Sequence, residues 1–262
     1  MAGVGYNVAK ALSALGNKVT LLSLVGQDLA GTHVQTALAA DGLDGTHVLA
    51  TVPHTAQSVI LYDPTGRRQI YTDLKDIQER AYPLARFEQL LLHCDLCVLC
   101  NINFSRALLQ PARAAGKLIA TDVHTIADLD DAYNGEFMRM AHVLFMSHER
   151  LPCSPEEWAA AILGRYGPEV LVIGLGDEGA LLALRAEGVA GRFPALQTRP
   201  IVSTVGAGDA LFSALVDGYF RTRDARYALQ RAILFASHKI GAAGAAEGFL
   251  TAPELDQLLA QR

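Results

Sequence analysis

From Leu84 to Gly176 the chain repeats one unit: a helical stretch, then a short run of apolar residues. Leu84–His93 precedes "DLCVLC", "RALLQPARAAG" precedes "KLIATDV", a helix near Phe137 precedes "HVLFMS", and "PEEWAAAILGRYG" precedes "EVLVIGLG". Strands that are apolar throughout have neither face in water, and helical crossovers join them in parallel. The repeat therefore predicts an α/β fold with a mainly parallel sheet covered by helices on both faces. Ligands of such sheets bind beyond the carboxyl ends of the strands, where Asn101, Asp122, Ser147 and Gly174 to Gly176 fall.

The flanking segments differ. "GYNVAKALSAL" has helical periodicity and stops at Gly16, "KVTLLSLVG" reads as a strand, and "HVQTALAADG" reads as a helix ending at Gly42. "SVILYDPTGRRQIYTD" reads as two strands joined by a turn at Asp63-Pro64-Thr65-Gly66. Polar residues interrupt both strands, as expected of a half-exposed flap. "GALLALRAEGVAGRFPA" is a second hairpin, and helices over Asp209–Phe220 and Tyr227–Ile240 follow. No linker or repeat divides residues 1–262, so one domain is expected, with the flap inserted at about 51–74.

A net charge of -5 leaves no basic excess for a phosphate backbone, which argues against nucleic acid. No apolar run reaches the ~18 residues that span a bilayer, and the first residues lack the basic, apolar and cleavage regions of a signal peptide, so no membrane partner and a cytoplasmic location are expected. Cys94, Cys97 and Cys100 have spacings that suggest a metal site. On a strand, however, Cys97 and Cys100 point to opposite faces, so they read as buried thiols in a reducing compartment.

The chemistry concentrates in "STVGAGDALFSALVDGYF", residues 203–220. Gly206, Ala207 and Gly208 free the backbone to turn and present consecutive N–H groups at the positive end of the next helix, a place for an anion. Asp209, in the first helical turn, can accept a proton beside that anion. The alternative is a tight turn in which Asp209 merely favours the helix start. No Gly-Lys-Ser/Thr follows, so this is not a Walker A loop, and no later βαβ unit makes it a dinucleotide fingerprint.

This stretch resembles the late signature of the ribokinase-like, or PfkB-type, carbohydrate kinases, Asp-Thr-x-Gly-Ala-Gly-Asp, at every position but the first. "AGVGYNVAKALSALG" resembles their early signature, and "VGQDLAG" the Gly-x-Asp-x-x-Gly that follows it. The resemblance spans essentially the whole chain. It implies a ribokinase-like three-layer sandwich with a small β lid, and an ATP-dependent kinase acting on a hydroxymethyl group of a sugar or related small molecule.

By the same resemblance Asp209 is the base, and the N–H groups of Gly206, Ala207 and Gly208 form an anion hole for the transferring phosphate. Ser147, Arg150, Gly174, Gly176, Gly179, His238 and Gly241 fall near ATP. Gly3, Asn7 and Asn101 fall near substrate hydroxyls, although Gly3 and Asn7 also suit a turn and a helix cap, and Asn101 a strand end. ATP with Mg2+, a sugar or nucleoside partner, and a homodimer paired through the lid are implied.

Three departures accompany the resemblance. The chain begins at Met1-Ala2-Gly3, inside the early signature, so it reads as an N-terminally truncated member lacking a first strand and its substrate-binding aspartate. Ser203 replaces the aspartate that helps hold a monovalent cation, which leaves a cation near Ser203 and Val205 in question. "SHER" puts Ser147 and Arg150 where the family has the Asn and Glu of its magnesium-ordering motif, and Arg150 either reaches ATP phosphates or faces solvent. Alternatives to the sugar kinase are a nucleoside kinase of the same fold and a catalytically impaired ligand-binding relative.

Overall fold

A computed structural model describes residues 1–62 and 68–261. The turn expected at Asp63-Pro64-Thr65-Gly66 lies outside the described residues. The chain opens with α1 (Val4–Ala14), β1 (Ser23–Gly26), α2 (Leu29–Ala40), β2 (Val48–Val52), β3 (Gln57–Tyr62) and β4 (Arg68–Asp73). The alternating part comprises α3 (Leu84–Leu91), β5 (Leu96–Val98), α4 (Asn103–Arg106), α5 (Leu109–Ala114), β6 (Leu118–Asp122), α6 (Gly135–Met140), β7 (Val143–Ser147), α7 (Pro155–Tyr166) and β8 (Val170–Gly174). β9 (Ala180–Leu184), β10 (Gly188–Phe193), α8 (Ala207–Thr222), α9 (Ala225–Lys239) and α10 (Ala252–Ala260) complete the order.

Among the described residues, six strands form one sheet in the order β10-β9-β8-β7-β6-β5. β5 to β8 pair in parallel, while β9 and β10 add an antiparallel edge. Side chains alternate between its faces as period two requires. Leu118, Ala120, Val143, Phe145, Val170, Val172, Ala180 and Leu182 face a core shared with α1, α8, α9 and α10. Ile119, Leu144, Met146, Leu171, Ile173, Leu181 and Ala183 face the opposite core, built with α3, α5, α6 and α7. The result is the three-layer arrangement expected. Cys97 belongs to that second core, with its Sγ 3.8 Å from Cys94 Sγ.

β1 and β2 form a separate parallel pair, and β3 with β4 an antiparallel hairpin from Gln57↔Asp73 to Tyr62↔Arg68. The base of the hairpin is tied to the body by Asp28, which accepts from Gly31 N (2.8 Å), Thr55 N (2.9 Å) and Thr55 Oγ1 (2.6 Å). A Cβ on Gly26 would lie 2.4 Å from Thr55 N, and one on Gly31 2.0 Å from Gly26 O, so this crossing has room only for glycine. That is the physical content of "VGQDLAG".

The structure corrects several boundaries. Only Ser23–Gly26 of "KVTLLSLVG" is strand, because its ladder partner β2 is itself short. "RALLQPARAAG" divides between α4 and α5; Pro111 lacks an N–H and so belongs in a first helical turn, which restarts the helix at Leu109. β2 and α10 are absent from the sequence reading.

Candidate active site

The strands converge on one rim. Asp122 ends β6, Ser147 ends β7 and Gly174 ends β8, with Asn101 shortly after β5. The ring of Phe145 lies beneath the rim: a Cβ on Gly174 would meet it at 3.3 Å and one on Gly208 at 3.6 Å. Phe145 also stacks on Phe212 of α8, ring centroids 5.8 Å apart. Small residues at 174 and 208 therefore let the start of α8 settle against the sheet.

Gly206 caps α8 in the left-handed region, φ 78°, and a Cβ there would stand 2.3 Å from Ala245 O. Within the turn, Ala207 N–H donates to Thr204 O at 3.1 Å and Ala210 N–H to Gly206 O at 3.0 Å. The N–H groups of Gly206 and Gly208 find no acceptor among the described residues. They stand at the positive end of a 16-residue helix, with the donors an anion needs.

Asp209 is half-buried in the first turn of α8, and its Oδ2 accepts from Asn7 Nδ2 at 2.6 Å. Asn7 lies on α1, buried, with its backbone N–H on Gly3 O at 2.8 Å; Gly3 caps α1 at φ 147°. The structure thus brings Gly3, Asn7, Gly206, Ala207, Gly208 and Asp209 together from the two ends of the chain. Asp122 and Cys100 lie within the electrostatic reach of Asp209. Burial, opposed by His124 and reinforced by Asp209, pushes the Asp122 carboxyl up to about 6. Burial, helped by both aspartates, pushes the Cys100 thiol up to about 12.

The remaining candidates are held by local contacts of their own. Gly176 (φ 66°) and Gly179 (φ 103°) form the β8–β9 turn; a Cβ on Gly179 would fall 2.0 Å from Phe193 O. Ser147 Oγ accepts from Glu149 N at 3.3 Å. Arg150 is exposed at φ 73° and makes no bond to the glycine turn among the described residues. Asn101 is turned toward Asn134, Nδ2 to Oδ1 2.9 Å.

His238 Nδ1 lies 3.3 Å from Gly248 O, and burial pushes its pKa down. Arg199 Nε donates to His238 O at 2.5 Å and packs where a Cβ on Gly241 would clash at 2.1 Å. Ser203 Oγ accepts from Val205 N at 3.3 Å, while the Val205 carbonyl accepts from the ammonium of Lys239. Lys239 and Phe145 are missing from the sequence reading. A lone lysine closing the apolar run "AILFASHK" was the available signal for the first; the second resembles any core aromatic.

The pattern of the pfkB family of carbohydrate kinases matches residues 1–252. The chain belongs to that family. Among curated relatives of this pfkB-family kinase, a fructokinase of Salmonella typhimurium is 26% identical, matching 82% of this chain and 75% of that protein. A 2-dehydro-3-deoxygluconokinase of Bacillus subtilis is 25% identical over 100% of this chain and 87% of its own. Among solved structures, a microbiome-derived acarbose kinase superposes with a TM-score of 0.88 at 25% identity, covering 98% of this chain and 86% of that one. A ribokinase from Giardia lamblia shares the fold with a TM-score of 0.85 at 14% identity, covering 99% of this chain and 88% of that one. ATP-dependent phosphorylation of small molecules is general in the pfkB family, and no described helix is long and apolar enough to cross a membrane.

Proposed function

We propose that this kinase transfers the γ-phosphate of ATP to a hydroxymethyl group of a sugar or sugar-derived small molecule, with Asp209 as general base. The observation that carries the reading is the Asn7–Asp209 bond beside the open N–H groups of Gly206 and Gly208. To accept from Asn7 at 2.6 Å and also take a proton, Asp209 must present an ionised carboxylate to the acceptor hydroxyl. Phosphoryl transfer needs positioning and charge stabilisation above all, and the N–H groups of Gly206 and Gly208 supply both at the helix end. Ala207 N–H joins that anion hole when its bond to Thr204 O is released.

Gly3, Asn7 and Asn101 surround the acceptor in this reading. Gly174, Gly176, Gly179, His238 and Gly241 border ATP, with Ser147 and Arg150 toward its phosphates. Magnesium arrives with ATP and neutralises charge on the phosphates. The buried carboxylate of Asp122 at the rim, beside Asp209, suits such a charge. The β3–β4 hairpin, hinged at Asp28 and Thr55, acts as a lid that excludes water from the one domain. Its exposed Val59, Leu61 and Tyr71 pair two copies into a homodimer. The cytoplasm, where ATP is supplied, is the compartment.

Sugars are placed before nucleosides because fructokinase, deoxyribokinase and 2-dehydro-3-deoxygluconokinase stand among the relatives. The test is ADP formation across a panel of pentoses, hexoses, sugar acids and nucleosides. Turnover with a sugar or sugar acid is expected. Binding of a sugar without ADP formation on any panel member contradicts the reading.

A further inference from the structure

The place where the family resemblance implies a monovalent cation, at Ser203 and Val205, does not fit one. Lys239, the last residue of α9, has no exposed surface, and its ammonium donates to the Val205 carbonyl. Ser203 offers a hydroxyl in place of a carboxylate, and that hydroxyl already accepts from Val205 N. Backbone bonds fix the segment: Val202 N and Ser203 N both donate to Ile240 O, at 2.8 and 3.0 Å. The loop is thereby stitched to the end of α9, and the lysine enters beside it.

A buried ammonium is stable only with compensating partners, and here it has a carbonyl and the negative end of a 15-residue helix. Its consequence for the site follows from peptide geometry. The Val205 carbonyl and the Gly206 N–H belong to one planar trans peptide and point in opposite directions. A charge that holds the carbonyl inward therefore aims the Gly206 N–H outward, toward the anion.

We propose that Lys239 is a positioning residue that supplies from within the chain the charge a bound monovalent cation would otherwise provide beneath the glycine turn. The kinase accordingly needs neither potassium nor sodium. The catalytic consequence rests on the phosphoryl-transfer reading above, whereas the occupation of the cation place does not.

The test compares wild type with Lys239→Ala in potassium and in tetramethylammonium, an ion too large for such a site. Turnover and thermal denaturation are both followed. Wild-type turnover is expected to agree within about twofold in the two salts. Lys239→Ala is expected to lose about 100-fold or more in tetramethylammonium, as for removal of one oriented donor, and to recover at least about tenfold of this in potassium. A merely structural role for Lys239 would not produce that rescue.

Potassium should also raise the melting temperature of Lys239→Ala but not of wild type. Activation of wild type by potassium of more than about fivefold overturns the proposal, as does full activity of Lys239→Ala in tetramethylammonium. If no acceptor is phosphorylated, the phosphoryl-transfer reading fails and the melting comparison still decides: potassium-specific stabilisation of wild type, or none in the variant, overturns it. Where Lys239→Ala does not fold, Lys239→Met preserves the stem and takes its place.

Discussion

Asn7 and Asp209, 202 residues apart in sequence, share a hydrogen bond of 2.6 Å that joins the first helix to the glycine turn. A bond to a charged carboxylate contributes about 1.5–3 kcal/mol, so Asn7→Ala should lower kcat by about 10- to 150-fold with little change in the KM for ATP. Asn7→Asp should be worse near neutral pH, because two facing carboxylates raise each other's pKa and remove the ionised base. Steady-state kinetics of the two variants checks both statements.

The two glycines of the turn should respond differently to a methyl group. At Gly206 alanine meets a left-handed backbone, about 1–2 kcal/mol by itself, and a carbonyl oxygen at 2.3 Å. At Gly208 the added Cβ would find only Phe145 at 3.6 Å, an ordinary contact. Thermal denaturation should show Gly206→Ala clearly destabilised and Gly208→Ala close to wild type.

Asp122 makes stability fall as pH rises from its unfolded toward its folded pKa. An unfolded aspartate releases its proton near 3.9, whereas burial holds the folded Asp122 proton up to about 6. Between those values the folded state binds more protons, so stability declines as pH rises through the window. Urea midpoints measured from pH about 4 to about 7 should show that decline in wild type and lack this part of it in Asp122→Asn. The variant also removes a like charge beside Asp209, which should move the acid limb of the pH–rate profile to lower pH.

Asp217 tests packing apart from chemistry. Buried on α8, it accepts from Asn17 Nδ2 at 2.9 Å and Arg221 Nε at 2.7 Å, with the buried Arg231 guanidinium 3.7 Å away. Asp217→Ala removes the buried acceptor of Asn17 and Arg221 and leaves the buried Arg231 to its ion pair with Asp256 alone among the described residues, which should cost about 3 kcal/mol of stability. Because the network lies at the far end of α8 from Asp209, kcat at a temperature where the variant is folded should be unchanged.

The layers of the fold and the glycine turn of the candidate site were legible because their causes are local in sequence. Solid apolar runs specify buried strands, and Gly206 marks a backbone that must turn. The pairing of Asn7 with Asp209 was expected only as membership of one site; the direct bond depends on how α1 packs on α8, which no local pattern encodes. Lys239 was hidden for the same reason, since a terminal helical lysine usually reaches solvent. Helix α10 was legible after all: Thr251 and Glu254 form a capping box with a proline in the first turn. β2 was not, because its middle residues are exposed and break the apolar pattern of the other strands.

The central claim is that Asp209 takes the proton of the attacking hydroxyl, and single-turnover phosphoryl transfer by Asp209→Asn tests it most directly. The substitution keeps the shape and a hydrogen-bonding partner for Asn7 while removing the base. Transfer to the preferred acceptor should slow by about a thousandfold, with ATP binding, read by calorimetry, little changed. Transfer by Asp209→Asn at the wild-type rate would contradict the account.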